Sequence, residues 1–258
     1  MNVVMIGTGN VAHVLGKKIK AAGHTILQVI GRNMDHAYAL AQLLDAGSNN
    51  YFSAVRQDGD IYIIAVSDQA VENIAKQINV KGIVVHTAGS VSQHILENTS
   101  SRFGVLYPLQ SLRSDRSEIP DIPFLVDGNS AQTIAAITGF AKTISESVTY
   151  ADDDKRLKTH IAAVITNNFT NYLFTLANDF CVKEHISFAL LTPLLEETVN
   201  RLTQYAPDVM QTGPAVRNDQ ATITKHLSLL GNHDELKRLY GILSDSIITH
   251  YAYMRKME

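Results

Sequence analysis

The chain of 258 residues has one cysteine, Cys181, and no tryptophan. A single thiol cannot close an internal disulfide and leaves no cysteine cluster to hold a metal, so no metal site is expected. Charge is sparse and nearly balanced: 18% of residues are charged, and 22 Lys and Arg against 25 Asp and Glu leave a net of -3. That balance removes any general electrostatic case for a nucleic acid or membrane-surface partner. No apolar run approaches the ~20 residues needed to cross a bilayer. Met1 runs almost directly into Val3-Val4-Met5-Ile6 with no charged n-region; no cleavable signal is expected, and the expected location is the cytoplasm. Internal repeats and low-complexity linkers are also missing. What remains is ordinary globular composition, 45% hydrophobic, in a chain long enough for two modest domains.

Two patterns divide it. In the first half, short β-branched runs alternate with apolar residues at helical spacing. The run 3–6 is continuously apolar and ends at Gly7, which suits a strand buried on both faces. Val11, Val14, Leu15, Ile19 and Ala22 follow at helical spacing, with Gly23 as the stop. Further strands are predicted over 25–30, 61–66, 83–85, 103–106, 124–126 and 147–150, with helices over 35–44, 69–78 and 130–144. Repeated strand–helix–strand units with short links predict an α/β, doubly wound parallel sheet, a Rossmann domain over 1–151.

From Asp152 onward the strand signals stop. Asp152, Asp153 and Asp154 place acids where a helix N-terminus favours them. Leu157, Ile161, Ile165, Tyr172, Leu176 and Phe180 then keep helical spacing for about eight turns. So long a helix is expected to form the centre of an all-α bundle over 152–258, with further helices over 192–205, 220–230 and 235–254. Its apolar stripe exceeds what short neighbours cover, and a homodimer through this domain is expected.

Gly7-Thr8-Gly9-Asn10-Val11-Ala12 is a G-x-G-x-x-A between the first predicted strand and the first helix. Gly7 permits the tight turn, Gly9 lets the backbone approach a pyrophosphate, and a small residue at 12 lets helix and strand pack closely. The helix N-terminal amides then face the anion. Thr8, Asn10 and Val11 share this loop and belong to the expected cofactor contacts. The second strand ends Gly31-Arg32-Asn33 with no acid to bond a ribose 2′-hydroxyl, and Arg32 offers a fork of donors suited to a 2′-phosphate. Asn33 adds a further hydrogen-bonding group. Asp35, two residues on, more naturally opens the following helix. NADP is therefore expected in preference to NAD. Val66 and Ser67 after the 61–66 strand, and Thr87, Ala88 and Gly89 after the next, complete the expected cofactor contacts.

These motifs resemble those of the superfamily that includes pyrroline-5-carboxylate reductases and deazaflavin-dependent NADP oxidoreductases. Within it, the chain is most similar to Rossmann-like NADP oxidoreductases with an uncharacterised all-helical C-terminal domain. The likeness rests on the N-terminal motif, on His86-Thr87-Ala88-Gly89-Ser90 and Tyr107-Pro108-Leu109-Gln110-Ser111, and on the segment Thr212-Gly213-Pro214-Ala215-Val216-Arg217-Asn218-Asp219. It spans nearly the whole chain and implies the two-domain architecture and the cofactor. It names no substrate. Several relatives in the wider superfamily carry a Lys with an Asn four residues later on the long helix, whereas here Lys155 is followed by Thr159 and Lys158 by Ala162. Catalytic residues do not carry over.

Ligands of doubly wound sheets bind outside the carboxyl ends of the strands. That places His86, Thr87, Ser90, Gln110 and Ser111 at the expected site, although Thr87 and Ser90 would equally serve as helix caps. At about 100° per residue, His160, Asn167 and Asn171 share one face of the long helix. His160 is the candidate acid and Asn167 the candidate substrate-positioning group, with interhelical hydrogen bonding as the structural alternative. Arg217 would bind a substrate carboxylate or pair with Asp219. Tyr107, His226 and His250 show no partner at any informative spacing and read as structural. The expected activity is hydride transfer between NADP and a small carbonyl or imine; the alternative is an NADP-binding sensor that has lost the chemistry.

Overall fold

The structure, a computed structural model, describes residues 1–116 and 118–255. It forms two compact units, Met1–Asn167 and Asn168–Glu258. Among the described residues no helix is long and apolar enough to cross a membrane.

The first unit runs β1 (Asn2–Ile6), α1 (Asn10–Ala21), β2 (Thr25–Ile30), α2 (Met34–Leu44), β3 (Gly47–Asn49), β4 (Ile61–Ile64) and α3 (Asp68–Ala75). It continues with β5 (Ile83–His86), β6 (Phe103–Pro108), β7 (Phe124–Gly128), α4 (Ala131–Ala141), β8 (Val148–Tyr150) and α5 (Asp153–Ala163). The eight strands lie in the order β3-β2-β1-β4-β5-β6-β7-β8. Its first six strands have the dinucleotide-fold order, with the reversal between β1 and β4. Alternate residues of the central strands feed two separate cores. Val3 and Met5 pack with Leu15, Ile19 and Leu40 on one face, and Val4 and Ile6 pack with Tyr62, Val71 and Ile74 on the other. Both faces are therefore covered by helices, as the apolar runs imply.

Two features depart from the expected sheet. Gly47, Ser48 and Asn49 form an edge strand, paired parallel to Gln28, Val29 and Ile30; three residues with no apolar alternation give no strand signal. β7 runs antiparallel to β6, Leu106 opposite Val126. The described residues of the 109–123 connection contain no helix, and without a crossover helix the chain returns antiparallel.

The long helix is present but not uniform. α5 passes into a π-helical turn, Val164–Phe169, and then into α6 (Thr170–Lys183). A π turn takes more residues than an α turn, so the step of about 100° per residue that places His160, Asn167 and Asn171 on one face does not apply between Val164 and Phe169. The helix starts where the acids predict: the Asp152 side chain accepts from the Lys155 amide at 2.8 Å.

The second unit continues with α7 (Thr192–Arg201), α8 (Pro207–Met210), α9 (Gln220–Leu229) and α10 (Asp234–Met254). His226 Nδ1 meets Tyr240 Oη at 2.7 Å, and His233 Nε2 meets Glu184 Oε1 at 2.9 Å. Asp219 caps α9, accepting from the Thr222 amide at 3.1 Å, rather than pairing with the exposed Arg217. The apolar stripe expected as the bundle centre is not buried within one chain: Leu157, Ile161, Ile165 and Tyr172 are all exposed.

Candidate active site

The carboxyl ends of β1, β2, β4, β5 and β6 meet along one edge of the first unit, and backbone bonds lock them in register. The Gly7 amide donates to Ile30 O at 2.8 Å, Ala65 to Ile6 O at 2.7 Å, and Thr87 to Ile64 O at 3.2 Å. Gly7 turns with φ +127°, and a Cβ there would lie 2.0 Å from the Ala65 carbonyl oxygen. No other residue fits. Gly31 is also compressed, since its Cβ would come within 2.5 Å of Thr8 Cγ2. That approach brings the first and second strand ends together.

Gly9, in contrast, opens onto free space: a Cβ built on it meets nothing within 4 Å. Gly9 is the N-cap of α1 and leaves its first turn without a side-chain cap, whereas Asn33, Ser130 and Asp152 cap α2, α4 and α5. Uncapped amides beside an open glycine are the arrangement a dinucleotide pyrophosphate requires, so the residues present fit such a cofactor. Thr8, Asn10 and Val11 line that turn. The side chain of Asn10 is engaged by the protein, accepting from the Ser114 amide and hydroxyl at 3.1 and 2.7 Å. Asn33 spends its Oδ1 on the His36 amide at 2.9 Å. Arg32 is exposed and makes no hydrogen bond or ion pair among the described residues.

Val66 and Ser67 link β4 to α3, and Thr87, Ala88 and Gly89 are buried at the end of β5. No α-helix follows β5, so Thr87 and Ser90 do not cap one. Thr87 Oγ1 lies 3.4 Å from Ile64 O, and the Ser90 hydroxyl donates to Asp68 Oδ2. Gln110 and Ser111 are exposed, with Gln110 Oε1 accepting the Ser111 amide at 3.0 Å.

His86 is fully buried. Its Nδ1 accepts from the Ala88 amide at 3.2 Å. Burial, reinforced by the Arg156 guanidinium, holds its pKa down to about 4. It is neutral at ordinary pH and shapes the loop rather than donating protons.

The two helices' contributions differ. Asn167 lies in the π turn, on an exposed stretch. His160 is drawn into the sheet edge: its Nδ1 is 2.9 Å from the Tyr107 hydroxyl, with the rings edge to face at 5.8 Å. Gly89 makes the room, because a Cβ there would fall 2.7 Å from His160 Nδ1 and 3.0 Å from Tyr107 Cζ. Tyr107 therefore has a partner that the sequence concealed, 53 residues away.

Arg156, one turn earlier on α5, explains why His160 lands there. Only 1% exposed, it donates from Nη2 to Val91 O and, at 2.7 Å, to Asp153 Oδ1. Asp153 also accepts from the Gln93 amide at 3.3 Å, and Gln93 Nε2 donates to buried Asp127 at 3.0 Å. This net pins the first turn of α5 to the loop after β5. A buried arginine with two such bonds is costly to move.

Comparisons with known proteins agree with this geometry. A family model described as NADP oxidoreductase, coenzyme F420-dependent, matches residues 2–89. A second, described as a domain of unknown function (DUF2520), matches 122–247. A solved structure from Bacteroides fragilis, described as an NADP oxidoreductase, is 33% identical, with a TM-score of 0.88 over 96% of this chain and 98% of its own. A 1-pyrroline-5-carboxylate reductase from Streptococcus pyogenes is 17% identical, with a TM-score of 0.63 over 96% and 98%. An imine reductase from Myxococcus stipitatus in complex with NADP+ is 14% identical, with a TM-score of 0.65 over 100% and 95%. At such identities the last two share the fold. No curated protein matches the chain.

Proposed function

Because the chain belongs to the NADP oxidoreductase superfamily that also holds the pyrroline-5-carboxylate reductases, we propose that it is an NADP-dependent reductase of a small carbonyl or imine. The observation that carries this reading is His160, fixed against Gly89 and Tyr107 at the edge where the dinucleotide turn lies. When bound, the cofactor supplies the hydride. The protein must then orient the substrate carbon, exclude water and supply one proton. His160 is the proton-supplying group of this reading, and Asn167 its substrate-positioning group. A panel of small ketones, aldehydes and cyclic imines, followed by loss of NADPH absorbance, tests it. Tight NADPH binding with no turnover on any member would favour the non-catalytic sensor, toward which the missing Lys–Asn pair points.

The cofactor is NADP, and Arg32 is the residue that selects it over NAD. Arg32→Ala should weaken NADPH binding about ten- to a hundredfold, the worth of hydrogen bonds to a charged group (~1.5–3 kcal/mol). NADH binding should stay almost unchanged. Equal losses for the two cofactors in a fluorescence titration would remove Arg32 from this role.

The assembly in this reading is a homodimer through the helical half. Leu157, Ile161, Ile165, Phe169 and Tyr172 are exposed along one helical run, and Leu190, Leu194 and Val199 are exposed on the segment that follows. Runs of exposed apolar side chains of this kind are typical of a subunit interface. Analytical ultracentrifugation at micromolar concentration should give twice the 28.3 kDa chain mass; a monomer would refute pairing.

A further inference from the structure

The bond between Tyr107 and His160 can run in either direction, and the direction decides what the imidazole offers the site. A neutral imidazole carries one N–H, and whichever nitrogen accepts leaves the other as donor. Geometry encloses Nδ1. The Tyr107 hydroxyl lies 2.9 Å from it, and the Gly89 backbone closes the same edge of the ring so tightly that a Cβ would sit 2.7 Å from Nδ1 and 2.9 Å from Cγ. Nε2 has no partner among the described residues. The charges around the phenol bear on its proton. Burial pushes its ionisation up, and Asp68 at the start of α3 pushes the same way, with Arg156 on α5 opposing. The phenol therefore keeps its proton and has it available to donate to Nδ1.

We propose that Tyr107 is a positioning residue, whose hydroxyl bonds to Nδ1 of His160 and so fixes the neutral ring with its proton on Nε2, aimed at the reacting heteroatom. This rests on the reductase reading for its use but not for its existence. In the reduction the substrate carbon gains the hydride from NADPH, and the π pair moves to oxygen or nitrogen. That atom takes the Nε2 proton as the phenol proton passes to Nδ1; a solvent proton then returns to Nε2 while Nδ1 gives its proton back to the phenolate, which restores the starting tautomer. An alkoxide or amide anion is a far stronger base than a phenolate, so the relay runs downhill even with the phenol's ionisation raised. Tyr107 reads as structural in the sequence; on this proposal its hydroxyl also orients His160.

Nitrogen-15 NMR of the full chain tests this, with the His160 signals assigned by their loss in His160→Ala. The wild type at mildly alkaline pH should show a protonated Nε2 and an unprotonated Nδ1 for His160. Tyr107→Phe keeps the ring and removes the hydroxyl. It should leave NADPH affinity within about twofold, let the two tautomers mix, and lower kcat about tenfold or more with KM little changed. A wild-type spectrum with the proton on Nδ1 overturns the proposal, as does a Tyr107→Phe spectrum identical to wild type. Failure of the whole substrate panel would instead strike the reductase reading, because the tautomer is read without any substrate.

Discussion

Gly7→Ala is expected to lower the melting temperature by about 6–20 °C, while Gly9→Ala leaves melting within about a degree or two and damages cofactor binding. The two glycines sit in one motif but do different work. At Gly7 the backbone holds φ +127° and a methyl would lie 2.0 Å from the Ala65 carbonyl oxygen and 2.7 Å from its carbon. Relief means moving the β4 terminus or breaking the bond from the Gly7 amide to Ile30 O. Strained φ plus a backbone clash amounts to roughly 3–5 kcal/mol, and a domain of this size loses roughly 2–4 °C per kcal/mol. At Gly9 an added methyl meets no protein atom within 4 Å, so the apo protein should tolerate it. The space it fills is where a pyrophosphate approaches α1, and NADPH affinity should fall about tenfold or more. Calorimetry and a fluorescence titration separate the two effects. Wild-type melting of Gly7→Ala, or wild-type NADPH affinity in Gly9→Ala, would show that the turn does not work this way.

That contrast also shows what a sequence can and cannot disclose. The motif 7–12, the apolar runs at 3–6 and 61–64, and the acids at 152–154 are local signals, and each element they imply is present. β3 left no trace because Gly47, Ser48 and Asn49 pair only through backbone at a sheet edge. The π turn at 164–169 has no composition signature, yet it unsettles any face computed through it. The candidate site was half legible. Strand ends pointed to 86–90 and 107–111, but nothing in the spacing of Tyr107, Gly89 and His160 says that they touch. That contact needs β5 beside β6 and the first turn of α5 folded onto the loop after β5. Arg156, which ties that turn down, reads in sequence as one more helix-surface cation. Its 1% exposure and its bond to Val91 O belong to the tertiary structure alone.

His160→Ala is expected to lower turnover about 10²–10⁴-fold, the usual worth of a positioned acid–base group, with NADPH affinity within about twofold. Three features favour chemistry over packing as the reason for this side chain. The imidazole is only half-buried, so its removal empties little core, and water can replace it at the Tyr107 hydroxyl. Its neighbour Gly89 is among the residues expected against the cofactor, and it carries no Cβ to strike the ring. A second histidine of this edge, His86, is fully buried and held neutral by burial and by Arg156. His160, half-buried beside Gly89, is the candidate imidazole of this reading. Melting of the variant should fall by only a few degrees, since one exposed-side hydrogen bond contributes about 1 kcal/mol. A purely structural His160 gives the reverse pattern, a large drop in melting temperature with turnover per folded molecule preserved. Steady-state rates corrected for folded fraction decide between them, and that second outcome would hand the proton transfer to some other residue.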